Sequence, residues 1–296
     1  MRKLGTLAVI GVGLVGGSLA MALRRAAVAA TLVGYDRDGE ALERAAALGV
    51  IDRAADSVSE AAKGADLVVV AVPVRAIGAV LHDVSLALDP AAVVTDVGST
   101  KGEVVRIAAQ ELRERASRFV PGHPIAGREA SGVEAAVPDL FRSARVVLTP
   151  GASTDADAVE LVKACWEAAG ARVATMDAER HDRIFAAVSH LPHVLSFALV
   201  SEIAAREDAA DLLGFAAGGF RDFTRIAASS PEMWRDIALQ NRAALLEELD
   251  RYAARLAVFR ELVDRGDGPG LERLMTEARS ARHAWGAGHR RSASSE

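Results

Sequence analysis

A single cysteine, Cys165, serves a chain of 296 residues, which excludes an internal disulfide. Its neighbours Ala164 and Trp166 continue an apolar helical pattern, so the thiol reads as packing in a cytoplasmic, reducing setting. Clusters of lysine and arginine are also lacking, and the formal net charge is -5. No nucleic-acid partner is expected. The apolar stretch that begins at Leu4 is interrupted by Gly11, Gly13, Gly16 and Gly17 before it reaches spanning length, so neither a signal peptide nor a membrane helix is expected there, and no membrane partner. No internal repeat is apparent. What is present is 51% hydrophobic residues, enough for one large or two ordinary domains with real cores.

Up to about residue 176, short β-branched apolar runs alternate with alanine-rich helical stretches, the order that builds a parallel sheet covered by helices. The runs fall at residues 7–10, 31–34, 67–72, 93–97, 146–149 and 172–175. Their lack of polar alternation predicts burial on both faces of one doubly wound, mostly parallel sheet. Past Asp177 the strand signals stop, and residues 179–205 and 233–265 have helical spacing. The expected organisation is an α/β Rossmann domain over 1–177 and an all-α helical domain over 178–285. A disordered tail rich in Ser, Arg and Gly is expected over 286–296.

In the first helical segment Ile184, Val188, Leu191, Leu195 and Leu199 form one stripe, and Pro192 predicts a kink that turns His190 and His193 off the regular surface. In the second, Leu245, Leu249, Leu256, Phe259 and Leu262 form a stripe that either packs within the domain or meets a second subunit. A homodimer through the helical domain is expected.

Gly11-Val12-Gly13-Leu14-Val15-Gly16 follows the first strand directly and opens a helix, the context that gives a three-glycine pattern its value. Gly11 suits the tight turn, Gly13 the approach of a pyrophosphate, and Gly16 close packing of helix on strand, with phosphates received by the N–H groups around Leu14 and Val15. Asp36 ends the next strand, placed to accept both ribose hydroxyls. That favours NAD, since the 2'-phosphate of NADP would meet like charge, although the adjacent Arg37 offers that phosphate a partner. Val72 and Pro73 close a later strand where a cofactor lies in this topology. The competing reading is a structural glycine turn in a flavodoxin-like fold.

His123, between Gly122 and Pro124 on what reads as a rigid turn, is the candidate catalytic base. The alternative is a turn histidine bonded to a nearby carbonyl. Ser99, in Asp96-Val97-Gly98-Ser99-Thr100-Lys101-Gly102, ends a strand and precedes a helix; its hydroxyl either faces substrate or caps that helix. The segment has the wrong first glycine and spacing for a Walker loop.

His181, His190 and His193 cluster in the second half, but Pro192 disturbs the helix and no cysteine or carboxylate completes an obvious ligand set, so no metal is expected. Gly218-Gly219-Phe220-Arg221-Asp222-Phe223-Thr224-Arg225 carries two arginines four apart, suited to capture of a carboxylate or to an ion pair with Asp222 or Glu232. Trp234 lines a ring site or fills core.

Jointly, residues 11–17, 95–102, 122–127, 189–193 and 218–234, in that order, resemble the prephenate dehydrogenase family of tyrosine biosynthesis, which includes arogenate and cyclohexadienyl dehydrogenases. The resemblance implies a Rossmann domain followed by a helical dimerisation domain, and NAD-dependent oxidative decarboxylation of prephenate to 4-hydroxyphenylpyruvate. It implies that His123 takes the proton of the 4-hydroxyl with Ser99 as its hydrogen-bonding partner, and that Arg225 binds a substrate carboxylate. His193, His181 and Trp234 would line the pocket. Arg128 and Glu129 follow the His123 motif, where some relatives place a small hydroxyl residue in the position of Arg128. Arg128 could meet the side-chain carboxylate and Glu129 a substrate amine, which keeps arogenate open as a second substrate. The absence of a mutase extension before Thr6 and of a regulatory domain after Arg265 suggests a monofunctional enzyme. The rival readings are a β-hydroxyacid or pyrroline-carboxylate type oxidoreductase and a protein that senses NAD without turnover. Protonation of His123 should lower kcat between about pH 8 and about pH 5.

Overall fold

The second half of β1 (Leu4–Ile10), Leu7-Ala8-Val9-Ile10, is apolar without alternation and buried throughout. Successive residues serve opposite cores. Leu7 and Val9 enter one apolar cluster, Ala8 and Ile10 the other, as the period of two in a strand requires. A computed structural model describes residues 3–127 and 130–294. In it β1 lies between β2 (Ala29–Tyr35) and β4 (Leu67–Val70). Two-residue β3 (Arg53–Ala54) extends the sheet beyond β2, and β5 (Val93–Asp96) and β6 (Phe119–Val120) extend it beyond β4. The order β3-β2-β1-β4-β5-β6 is parallel throughout. The chain leaves β1 in one direction and returns at β4 in the other, which opens a crevice at the carboxyl ends of these two strands.

The expectation of one sheet is corrected at its far end. Pro121 follows β6 and cannot donate to a continued ladder. The chain turns there into a second, three-stranded sheet: β7 (Gly122–Pro124), β8 (Arg145–Leu148) and β9 (Arg172–Thr175). β7 pairs antiparallel with β8, and β8 parallel with β9. Residues 146–149 and 172–175 therefore belong to this small sheet, and β9 is only partly covered. His123 stands opposite Val147 in a strand rather than on a turn.

The helical half begins with Ala178–Phe185 and passes through one turn of π-helix, Ala186–His190, into Leu191–Ala204. The N–H of Leu191 bonds to the carbonyl of Ala186, five residues back. Pro192 thus lies in the first turn of the following helix, where its missing donor costs nothing, and the irregularity precedes it. Along Ala178–Ala204, long and apolar enough to cross a bilayer by length and composition, only 22% of the most apolar window is buried in this chain. Val188, from the expected stripe, is exposed, while His181, Asp182 and His190 are buried. The polar residues of this rod, not its stripe, are what the rest of the chain covers.

By compactness the structure divides between Leu245 and Leu246. Helices 178–245 stay with the sheets because buried side chains tie them to the loop after β5, as described below. Of the stripe expected on the helix Arg242–Asp264, Leu245 is buried, Leu249, Phe259 and Leu262 are half-buried, and Leu256 is exposed. The helix Gly268–Ser294 runs through most of the segment read as a disordered tail. No proline follows Pro269, so nothing in residues 270–294 removes a helical N–H.

Candidate active site

The glycine loop after β1 has the geometry its residue types suggest. Gly11 has a φ of 94°, and a Cβ there would collide with the carbonyl of Ala71; one at Gly16 would collide with the carbonyl of Gly11. At Gly13 a Cβ would meet nothing in the protein. Its bareness serves nothing inside the fold and leaves the backbone open to a ligand. Gly13 is the N-cap of the helix Leu14–Arg25 and supplies no side-chain cap, so the first-turn N–H groups at Leu14, Val15 and Gly16 remain available to an anion. Asp36, at the end of β2, accepts the N–H of Val12 at 3.0 Å and of Asp38 at 3.1 Å. Each oxygen keeps a second lone pair for a hydroxyl. Arg37 beside it is exposed. Val72 and Pro73 follow β4 on the other side of the crevice, half-buried and exposed respectively. These residues fit a dinucleotide.

Next along the sheet edge, the β5 loop carries a fully buried ion pair. Lys101 Nζ lies 2.5 Å from Asp96 Oδ2 and 2.7 Å from the carbonyl of Gly122. The Asp96 carboxylate also accepts the N–H of Gly98 and of Gly122. Both polar groups of Gly122, the residue before His123, are thereby clamped to the end of β5. Burial pulls the Lys101 pKa below its ordinary value against the attraction of Asp96 and Asp182.

His123 is 9% exposed, and its Nδ1 lies 2.8 Å from His181 Nε2. The other side of His181 is held by Asp182, at 2.8 Å from Nδ1 to Oδ1. Asp182 in turn accepts the N–H groups of Lys101 and Gly102, each at 2.8 Å, and so caps the helix Gly102–Leu112 from a distant part of the chain. Ser99 is therefore not the cap of that helix, and among the described residues it forms no hydrogen bond to His123. It remains half-buried on the same loop. Burial, followed by the neighbouring His181, Lys101 and His190, holds His123 well below the ordinary histidine value. The ring is a neutral imidazole at neutral pH, with its titration moved to the acid side of the expected range.

Beyond His181, Asn241 donates to the carbonyl of Asp182 at 2.8 Å and contacts His190 Nδ1 at 3.0 Å. The amide nitrogen is the donor in both, so His190 Nδ1 accepts and Nε2 carries the hydrogen. That N–H is buried without a partner among the described residues, as is the indole N–H of Trp234. Burial pulls His190 down to about 4. His193 Nδ1 lies 2.8 Å from the carbonyl of Ser189, and the ring stacks on Trp234 with centroids 3.5 Å apart. Since a carbonyl only accepts, Nδ1 is the donor. Arg225 opens the turn Arg225–Ala228 and is close enough to disfavour the cationic form of His193, behind burial as the larger cause. Arg221 belongs to the preceding helix, Gly218–Thr224, and lies 3.9 Å from Asp222. Arg128 and Glu129 lie outside the described residues. A cavity of about 530 Å³ bounded by Asp66, Arg118, Asp157 and Glu160 includes none of these groups.

Family models place this arrangement. One described as prephenate dehydrogenase, nucleotide-binding domain, matches residues 19–175, and one described as prephenate dehydrogenase, dimerization domain, matches residues 177–277. The chain belongs to the prephenate dehydrogenase family. Cyclohexadienyl dehydrogenase of Zymomonas mobilis is 38% identical, over 96% of this chain and 97% of its own length. Prephenate dehydrogenase of Bacillus subtilis is 39% identical, over 94% of this chain and 75% of its own. Among solved structures, prephenate dehydrogenase from A. aeolicus in complex with hydroxyphenyl propionate and NAD+ is similar with a TM-score of 0.89 at 38% identity, covering 95% of this chain and 98% of that one. The family membership makes the chain an oxidoreductase with a nucleotide-binding Rossmann domain and a following helical domain.

Sequence reasoning missed Asp96, Lys101, Asp182 and Asn241. The visible signals were an aspartate at a strand's carboxyl end, a lysine five residues on, and an acid adjoining His181.

Proposed function

We propose that this protein oxidises prephenate with NAD as hydride acceptor, releasing the ring carboxylate as CO2 and giving 4-hydroxyphenylpyruvate. The observation that carries the reading is the neutral, nearly buried His123, clamped through Gly122 to the edge of the sheet that also bears the dinucleotide cradle. NAD, when bound, supplies a place for the hydride that leaves the ring carbinol carbon. His123 takes the carbinol proton as that hydride departs, and the proton returns to the phenolate oxygen once the ring carboxylate has left and its bonding electrons have completed the aromatic ring. No net proton is consumed. The A. aeolicus structure was solved with NAD+ and a hydroxyphenyl acid, which supports the pairing of this cofactor with a ring substrate.

Prephenate has two carboxylates, and Arg225 and the N–H of Trp234, which has no partner among the described residues, supply a cation and a donor for the side chain about His193, which Arg225 neighbours and Trp234 stacks on. Ser99, on the β5 loop, supports the carbinol oxygen. Asp36 favours NAD over NADP by like-charge repulsion of a 2'-phosphate. The sparsely covered face of Ala178–Ala204 supports a homodimer through the helical domain, in a cytoplasmic enzyme.

The test is stoichiometry: NADH and CO2 appear in equal amounts with prephenate, and NADP substitutes poorly. NADH without CO2 would contradict the decarboxylation. The name of the Zymomonas relative favours a second reading, activity on arogenate as well. Comparable kcat/KM for both substrates would establish it; a strong arogenate preference would reverse the order.

A further inference from the structure

We propose that Asp182 and His181 set the tautomer of His123, fixing its hydrogen on Nδ1 and leaving Nε2 as the lone-pair nitrogen, and that both are positioning residues for the reaction. The inference rests on the reading of His123 as the base, and it follows from counting hydrogens around three contacts.

The Asp182 carboxylate receives the N–H of Lys101 and of Gly102, which are obligate donors. Burial would raise its pKa, but the hydrogen bonds from His181 and these two amides outweigh burial and keep it below the usual carboxylate range. An ionised carboxylate only accepts. His181 Nδ1, 2.8 Å away, must therefore carry a hydrogen. Burial lowers the pKa of His181 despite Asp182, so the ring is neutral and its Nε2 holds a lone pair. The 2.8 Å contact between that nitrogen and His123 Nδ1 then needs its hydrogen from His123. One nitrogen of His123 is left. Nε2 bonds to none of the described residues and is not among the buried unpartnered atoms, so it is the face of the ring open to a ligand.

The same chain of contacts acts again after proton transfer. With a proton on Nε2, the His123 imidazolium donates its Nδ1–H to a neutral His181 whose own N–H rests on a carboxylate, which offsets part of the cost that burial and the neighbouring histidines and Lys101 place on the new charge. Phe185 packs on both rings, with centroids 4.8 Å from His123 and 4.4 Å from His181, and restricts their rotation.

The test is long-range proton–nitrogen NMR on the full-length protein labelled with 15N-histidine, near pH 8, without substrate. The His123 signals are assigned by their loss in His123→Asn. The expected result is protonated Nδ1 and unprotonated Nε2; the reverse pattern overturns the proposal, whatever the enzyme's substrate proves to be. A second arm uses Asp182→Asn. An amide cannot accept from both backbone donors and from His181, and where its NH2 faces His181 it inverts the chain of tautomers. Expected are a kcat lower by between about 10²-fold and about 10⁴-fold, NAD affinity within about twofold, and a shift of His123 to the Nε2–H form. An unchanged kcat, or a lost kcat with the Nδ1–H form retained, contradicts it. Should the variant not fold, the measurement on the unaltered protein still decides.

Discussion

Asp96 and Lys101 are joined at 2.5 Å with both side chains fully enclosed, and between them they hold the N–H and the carbonyl of Gly122. This pair is the connection between two sheets: β5 ends at Asp96, and β7 starts at Gly122. It fixes the residue on which the proposed chemistry depends without touching that residue itself.

Removing one partner of such a pair leaves a charge buried without compensation, which costs about 3–5 kcal/mol. Lys101→Met should therefore lower stability by that order in urea titration and reduce kcat by more than it changes the KM for NAD. A variant of unaltered stability would show that the pair holds nothing.

The glycine loop offers a separation of fold from binding. Gly13→Ala adds a Cβ that meets nothing in the protein, so its thermal unfolding should match the wild type within about 0.5 kcal/mol. Its Kd for NAD should rise about tenfold or more if the dinucleotide approaches there. Gly11→Ala, at a φ of 94° and against the Ala71 carbonyl, should lose stability as well. Equal NAD affinity in Gly13→Ala and wild type by calorimetry would remove the cradle from the account.

The pH dependence has a defined sign. His123 accepts a proton only when neutral, and its folded pKa lies below the ordinary 6.5. Consequently kcat/KM should be level from about pH 8 to about 6.5 and fall on the acid side, about tenfold per pH unit below that pKa. A fall already complete by about pH 7 would contradict the burial that lowers it. Stability follows the same direction. The unfolded His190 takes up a proton near 6.5 and the folded one near about 4, so its contribution is whole above the first value and is lost as pH falls toward the second. The loss is on the order of 3 kcal/mol, and Tm should decline across that window; a level Tm would show that His190 is not buried neutral.

Local pattern carried much of the nucleotide half. The glycine spacing, the acid at the end of β2 and the apolar strands are encoded within short stretches, and the structure places Gly11, Gly16 and Asp36 about the same crevice. The histidine cluster is encoded otherwise. His123 and His181 are 58 residues apart, and Asp182 caps a helix start 81 residues away, so neither periodicity nor motif spacing brings them together. Gly and Pro on either side of His123 predict a turn, and the family resemblance implies Ser99 as its partner; the strand Gly122–Pro124 of a second sheet begins directly after Pro121 instead, and the ring meets His181. Pro192 predicts a kink at its own position, whereas the irregular turn lies just before it, from Ala186 to His190.

The most direct measurement is the initial rate of NADH formation from prephenate and NAD, for wild type and for His123→Asn at matched NAD saturation. The account predicts saturable turnover by the wild type and a kcat lower by about 10²-fold to about 10⁴-fold in the variant, with the Kd for NAD retained. No NADH from prephenate, or a variant as fast as the wild type, would contradict it.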